Sequence, residues 1–242
     1  MYKHPLLSFC SFILVMLSFS SCSDQKDAGF DILIIGGRIV DGTGNPGYQG
    51  DVGIRDNEIL EVGDLAKKKA GKTIDAQGLI VSPGFIDMHT HCNNGLGNPG
   101  TNTNLNYITQ GVTTAVTGNC GDGPYKIAET KEKWEKLGIG TNAVMLVGHG
   151  IVREAVMSRE PREPTKEELK KMKELLRKAM SEGAWGITTG LQDIPSRYAQ
   201  TEEIIALTRV VGEYEGIASF HQRSEEKFMV EATEESIRIA KE

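Results

Sequence analysis

The run Pro83-Gly84-Phe85-Ile86-Asp87-Met88-His89-Thr90-His91 limits what this chain can become more than any other stretch. It reads as an apolar strand. Side chains alternate faces along a strand, so His89 and His91 project to one side, with Asp87 and Phe85 behind them and Thr90 turned away. Two neutral imidazoles on one face can share a metal ion, whereas a single histidine is more simply a hydrogen-bonded core residue. Apart from His4, the histidines are His89, His91, His149 and His221, and each closes a strand candidate.

The rhythm around these residues defines the architecture. Short β-type runs over 31–35, 37–40, 51–54, 58–62 and 72–75 are separated by Gly-rich turns such as Asp41-Gly42-Thr43-Gly44, which predicts hairpins in a small N-terminal β domain over 30–82. From residue 83 the pattern becomes strand, loop, helix. Strand candidates fall at 85–91, 113–117, 142–147, 185–189 and 217–221. Helices are expected from Thr165 to Ser181, opened by a Thr165/Glu168 capping box, from Thr201 to about Tyr214, and from near Thr233 onward. Repeated strand-helix units imply a parallel sheet with right-handed crossovers. The fold class is therefore α/β: the first five units, over 83–242, of an incomplete (β/α)8 barrel, joined to a small β-sandwich-type domain. In such a barrel the reactive groups belong at the carboxyl ends of the strands.

The chain's 242 residues are ample for a buried core, and a net charge of -6 with interspersed basic residues argues against nucleic acid as a partner. Lys3 and His4, an apolar run from Leu6 to Phe19 and then Ser20-Ser21-Cys22 read as a lipoprotein-type leader over 1–22, with 23–29 as a tether. Phe19 is an unusual third residue before the cysteine, and soluble secretion is the alternative. The expected location is outside the cytoplasm, periplasmic or on the outer face, anchored to the membrane by lipid on Cys22.

Strand-end residues supply a donor set. His89 and His91 end the first barrel strand, Cys120 follows the second, His149 ends the third and His221 the fifth, while Thr188-Thr189-Gly190-Leu191 at the fourth offers no metal ligand. Imidazole and thiolate are donors that zinc prefers, and a zinc site with an open position brings water to a pKa near ~7. Cys120 could instead be an inert buried thiol or pair with Cys92. His149 between two glycines is either a substrate contact or a loop residue. Arg223 is either a carboxylate fork or a surface arginine paired to Glu225 or Glu226. The Lys-rich helix from Thr165 reads as a solvated outer face.

The Pro83–His91 run resembles the first-strand signature of the amidohydrolase superfamily. The run Gln110-Gly111-Val112-Thr113-Thr114-Ala115-Val116-Thr117-Gly118-Asn119-Cys120-Gly121 is similar to the second strand of its D-aminoacylase, or N-acyl-D-amino-acid deacylase, branch. Gly148-His149-Gly150 with Arg153, Glu182 to Leu191 and His221-Gln222-Arg223-Ser224-Glu225 continue the likeness in order. The resemblance implies a zinc hydrolase of the acyl amide of N-acyl-D-amino acids. It gives the tightly bound zinc to Cys120 and two later histidines, His221 being the first, and a second, weaker metal position to His89 and His91. It puts the general base, an Asp, beyond residue 242, together with the missing C-terminal part of the barrel, so the chain reads as a truncated or split form whose activity alone is doubtful. Cys92, Asn93, Asn94 and Asp193 depart from the branch's pattern where substrate would enter. A cyclic-amide hydrolase of the dihydroorotase kind is the alternative enzyme, and a non-catalytic metal-binding lipoprotein the alternative from another class.

Overall fold

A computed structural model describes residues 29–242, so the leader, tether and Cys22 readings lie outside the described residues. The chain divides into two compact units at Pro83/Gly84. Among the described residues no helix is long and apolar enough to cross a membrane.

The first unit is a single five-stranded mixed sheet. Its strands are β1 (Phe30–Ile39), β2 (Tyr48–Arg55), β3 (Glu58–Gly63), β4 (Ala70–Asp75) and β5 (Ile80–Val81), in the order β3-β2-β1-β4 with β5 also on β1. The two runs expected over 31–35 and 37–40 are one strand. A bulge between Ile34 and Gly37 bends it, and Gly36 takes φ +71°, a conformation open to glycine without penalty. Asp51 is buried and accepts from Gly36 N and from Leu65 N, each at 2.8 Å, so one carboxylate holds both the bulge and the loop after β3. Hairpins account for β1-β2-β3 only. β4 and β5 run parallel to β1, because the chain crosses over after β3 to cover Phe30, Leu33 and Leu65.

The second unit is the half-barrel. β6 (Phe85–Thr90), β7 (Val112–Thr117), β8 (Asn142–Gly148), β9 (Gly186–Gly190) and β10 (Ile217–His221) pair in parallel with their sequence neighbours. Between them lie α1 (Asn93–Leu96), α2 (Leu105–Ile108), α3 (Ile127–Leu137), α4 (His149–Met157), α5 (Lys166–Ser181) and α6 (Thr201–Gly212), and α7 (Met229–Lys241) follows β10. This consecutive parallel order is that of an incomplete (β/α)8 barrel, and it sets all five strand ends on one rim.

The helices cover the sheet with one apolar stripe each. In α5 the buried Met172, Leu176, Ala179 and Met180 recur at helical spacing, and the lysines face out. The last helix starts at Met229, one turn earlier than its sequence suggests. Neither β6 nor β10 has an outer neighbour among the described strands, and apolar residues stand exposed on β6, at Phe85, Ile86 and Met88, and at the start of α7, at Phe228, Met229 and Val230. A buried core thus coexists with unpaired sheet edges, which ordinary folds cover or blunt.

The capping box forms as expected. Thr165 Oγ1 accepts from Glu168 N at 3.2 Å, and Glu168 accepts from Thr165 N at 2.8 Å. Two hydrogen bonds from Arg162, with the Thr165 amide, hold the Glu168 carboxyl down to about 2. A carboxylate whose folded pKa is depressed stabilises above its ordinary value near 4.5 and loses that effect as pH falls toward 2. Chemical denaturation should therefore show Glu168→Gln less stable than wild type at pH 6, with the gap narrowing below pH 4.5 and absent near pH 2.

Candidate metal centre

His89, His91 and Cys120 meet at the rim. One donor atom from each lies within 4.8 Å of the others, and no second such group occurs among the described residues. Cys120 Sγ is 3.4 Å from His89 Nε2, and the two imidazole rings stand 5.5 Å apart at 57°. Tetrahedral zinc with its usual bond lengths separates a sulfur and a nitrogen ligand by roughly 3.6 Å, so the donor set and its spacing fit that ion.

His89 lies in β6 and His91 directly follows its last residue, Thr90, one residue short of the strand end expected from the sequence. Thr90, between them, is buried on the opposite face and donates to Val116 O at 2.9 Å. His89 N is tied to Asp87 Oδ1 at 3.1 Å.

Cys120 arrives differently. It sits in the left-handed region at φ +54°, between Gly118 at +91° and Gly121 at +78°, a conformation that costs a non-glycine residue free energy and must be held by its surroundings. Buried Thr188 does part of this, donating to Gly118 O at 2.6 Å and accepting from Gly121 N at 3.1 Å. Buried Asn119 donates to Val116 O at 3.1 Å, and its Oδ1 accepts from Ser219 Oγ at 3.4 Å, so the turn hangs from β7 and β10. Backbone contact completes the clamp. A Cβ on Gly190 would collide with the Cys120 carbonyl oxygen, and one on Gly148 with Gly121 O and Gly123 N.

Burial pushes the Cys120 thiol up, and the carboxylates of Asp193 and Glu225 push the same way. A cation placed there would have to displace the thiol proton, so its binding would release a proton. Cys92 and Cys120 are both free thiols, which removes the pairing considered from sequence.

The remaining candidates lie elsewhere. His221 closes β10 on the same rim but outside the three-residue group, with Nε2 3.9 Å from Glu225 Oε1. His149 begins α4 and is wholly buried. Its Nδ1 meets Ser196 Oγ at 2.8 Å and its Nε2 meets Glu203 Oε1 at 2.9 Å, which occupies both ring nitrogens. Glu203 also takes the buried Arg153 guanidinium, whose other terminal nitrogen reaches the carbonyls of Glu160 and Arg162. Burial raises the Glu203 carboxyl, but hydrogen bonds and charge from His149 and Arg153 outweigh it and hold the group below its ordinary value. Arg223 pairs with Glu235 of α7 through two bonds of 2.9 Å, not with Glu225 or Glu226, and donates to Arg197 O and Ala199 O. Thr188, Ser196 and Glu203 were not visible as site supports in the sequence. Glu203 reads there as an ordinary first-turn acid of α6.

The amidohydrolase family model matches residues 72–240. A D-aminoacylase of Alcaligenes xylosoxydans xylosoxydans is 38% identical over 91% of this chain and 50% of its own length. A D-aminoacylase structure described by its binuclear metal centre superposes with TM-score 0.82 at 37% identity, over 88% of this chain and 49% of that one. An N-acyl-D-glutamate deacylase of Bordetella bronchiseptica, complexed with zinc and a phosphonate inhibitor, gives TM-score 0.82 at 32% identity, with the same coverage. The chain spans about half the length of the curated relatives it matches.

Two substitutions probe the supports. Gly190→Ala forces the Cys120 turn to move and should weaken binding of a metal by the three donors roughly 10–100-fold, the cost usual for outer-sphere partners of a metal, read by competition with a chelator. Glu203→Ala strands Arg153 as a buried charge and should cost about 3–5 kcal/mol in urea denaturation.

Proposed function

We propose, from the premise that this chain belongs to the amidohydrolase family, that it forms the N-terminal half of a zinc-dependent hydrolase of the acyl amide bond of N-acyl-D-amino acids. The convergence of His89, His91 and Cys120 on one rim carries the reading. His221, closing β10 on the same rim, is the further ligand in this proposal, and one zinc is held tightly with a second, weaker position available. A zinc ion held there would supply Lewis acidity and a water of near-neutral pKa.

The chain's own residues provide the frame. Thr188, Asn119 and the glycines hold the Cys120 turn, and the end of β6 brings His89 and the following His91 beside it, so the donors stand together before anything binds. A proton-accepting carboxylate, the Asp expected beyond residue 242, would take the water's proton and deliver it to the leaving amine. Three further βα units would bring five strands to the eight of a closed barrel and cover the open edges of β6 and β10. The proposal keeps the lipid anchor through Cys22 and an exported location, both of which rest on residues 1–22.

Zinc content of the purified protein tests the ligand claim. Cys120→Ala and His89→Ala should each weaken zinc by more than the ~10–100-fold of an outer-sphere change, and unchanged metal in both would reject the site. Release of free amine from N-acetyl-D-amino acids, with their L enantiomers unreacted, is the expected activity of the protein completed with its C-terminal half.

A further inference from the structure

The short helix after the first barrel strand, α1 (Asn93–Leu96), carries the one Asn-Gly pair of the sequence, Asn94-Gly95. In such a pair the glycine nitrogen can reach the amide carbon of the asparagine side chain, because glycine has no Cβ to shield it. The other asparagines lack one requirement or another. Asn45 and Asn98 precede prolines, whose nitrogen carries no proton. Asn93, Asn102, Asn104 and Asn119 hold their amides in hydrogen bonds to Asp122 O, Gly138 O, Thr141 Oγ1 and Val116 O.

Both reacting groups of Asn94-Gly95 are free. Asn94 is exposed, and its amide makes no hydrogen bond among the described residues. Gly95 N stands ahead of the first hydrogen bond of α1, from Leu96 N to Cys92 O at 2.8 Å, and no side chain caps that end. The helix has only four residues, two of them asparagine and one glycine, so little local propensity resists its opening. Water has access as well. Asn94 lines a cleft of about 320 Å³ together with Asp122, Thr130 and Lys133.

We infer that Asn94 is a site of spontaneous deamidation, converted through a succinimide to aspartate and isoaspartate. The Gly95 nitrogen gives its proton to solvent and bonds to Asn94 Cγ, and the Cγ–Nδ2 bond breaks to release ammonia. Water then opens the ring at either carbonyl. One water is consumed and one ammonia leaves. Both products place a negative charge three residues past His91, and the isoaspartyl form also adds a methylene to the backbone of the loop that follows this donor.

Ageing the full chain at mildly alkaline pH, followed by peptide mapping with mass spectrometry and enzymatic methylation of isoaspartate, tests the assignment. The wild-type peptide holding Asn94 should gain the mass of an amide-to-acid exchange and become methylatable. Gly95→Ala should slow both changes by about tenfold, since its methyl group hinders the attacking nitrogen. A Cβ at that position meets only Thr101 Oγ1, at 3.6 Å, so circular dichroism should show this variant folded. Asn94→Gln should abolish the signal. An unchanged wild type, under conditions in which a synthetic peptide of residues 92–101 deamidates, would overturn the inference. So would a wild-type rate in Gly95→Ala, or a signal that persists in Asn94→Gln.

Discussion

Backbone lies against backbone at the rim of the parallel sheet, and the donor cluster exists because nothing larger than a hydrogen atom stands between the turns. Gly190 abuts the carbonyl of Cys120, Gly148 abuts Gly121 and Gly123, and Gly121 in turn approaches Gly190 N. Side chains there would push the second strand's turn outward and carry the sulfur away from the imidazoles. The Cys120 backbone, at φ +54°, would not stay in that conformation unaided. Close approach and local strain are thus two sides of one arrangement: the neighbouring glycines permit the contact, and the contact, with Thr188, holds the turn.

Strand periodicity made much of this legible before any coordinates. The alternation around Thr90 fixes which way His89 and His91 point, and the repeated strand-helix rhythm fixes that Cys120, His149 and His221 all follow strand ends. Periodicity does not say whether a strand-end residue faces the opening or the interior. His149 turns inward because Glu203, 54 residues later, offers its ring a buried acceptor. Arg223 turns away from its sequence neighbours because Glu235 on α7 is better placed than Glu225 or Glu226. Such pairings depend on how helices pack across the sheet, and no local pattern encodes them. In the first unit, likewise, turn residues signal the hairpins correctly but not the parallel return of β4 and β5.

The two open edges of the second unit give the half-barrel an unusual balance. Its interior is well filled, from Leu96 through Val147 to Leu207, yet Phe85, Ile86 and Met88 on β6 and Phe228 to Val230 at the start of α7 remain in water. The hydrophobic effect therefore favours any complementary strands that can reach both edges, and the same exposure makes the unit prone to pairing with the wrong ones.

The knot of Arg153, Glu203 and His149 also bears on how the fold assembles. Arg153 and His149 belong to α4, Glu203 to α6, and the whole of α5 and β9 lies between them in the chain. If α4 settled onto the sheet while α6 was still absent, a guanidinium would be trapped in an apolar interior with no opposite charge. Such an intermediate is disfavoured by several kcal/mol, on the order of an uncompensated buried ion. The segment from α4 to α6 is accordingly tied into a single cooperative block, gained or lost as a whole, and the loop bearing Ser196 and Arg197 acquires its shape only when that block closes.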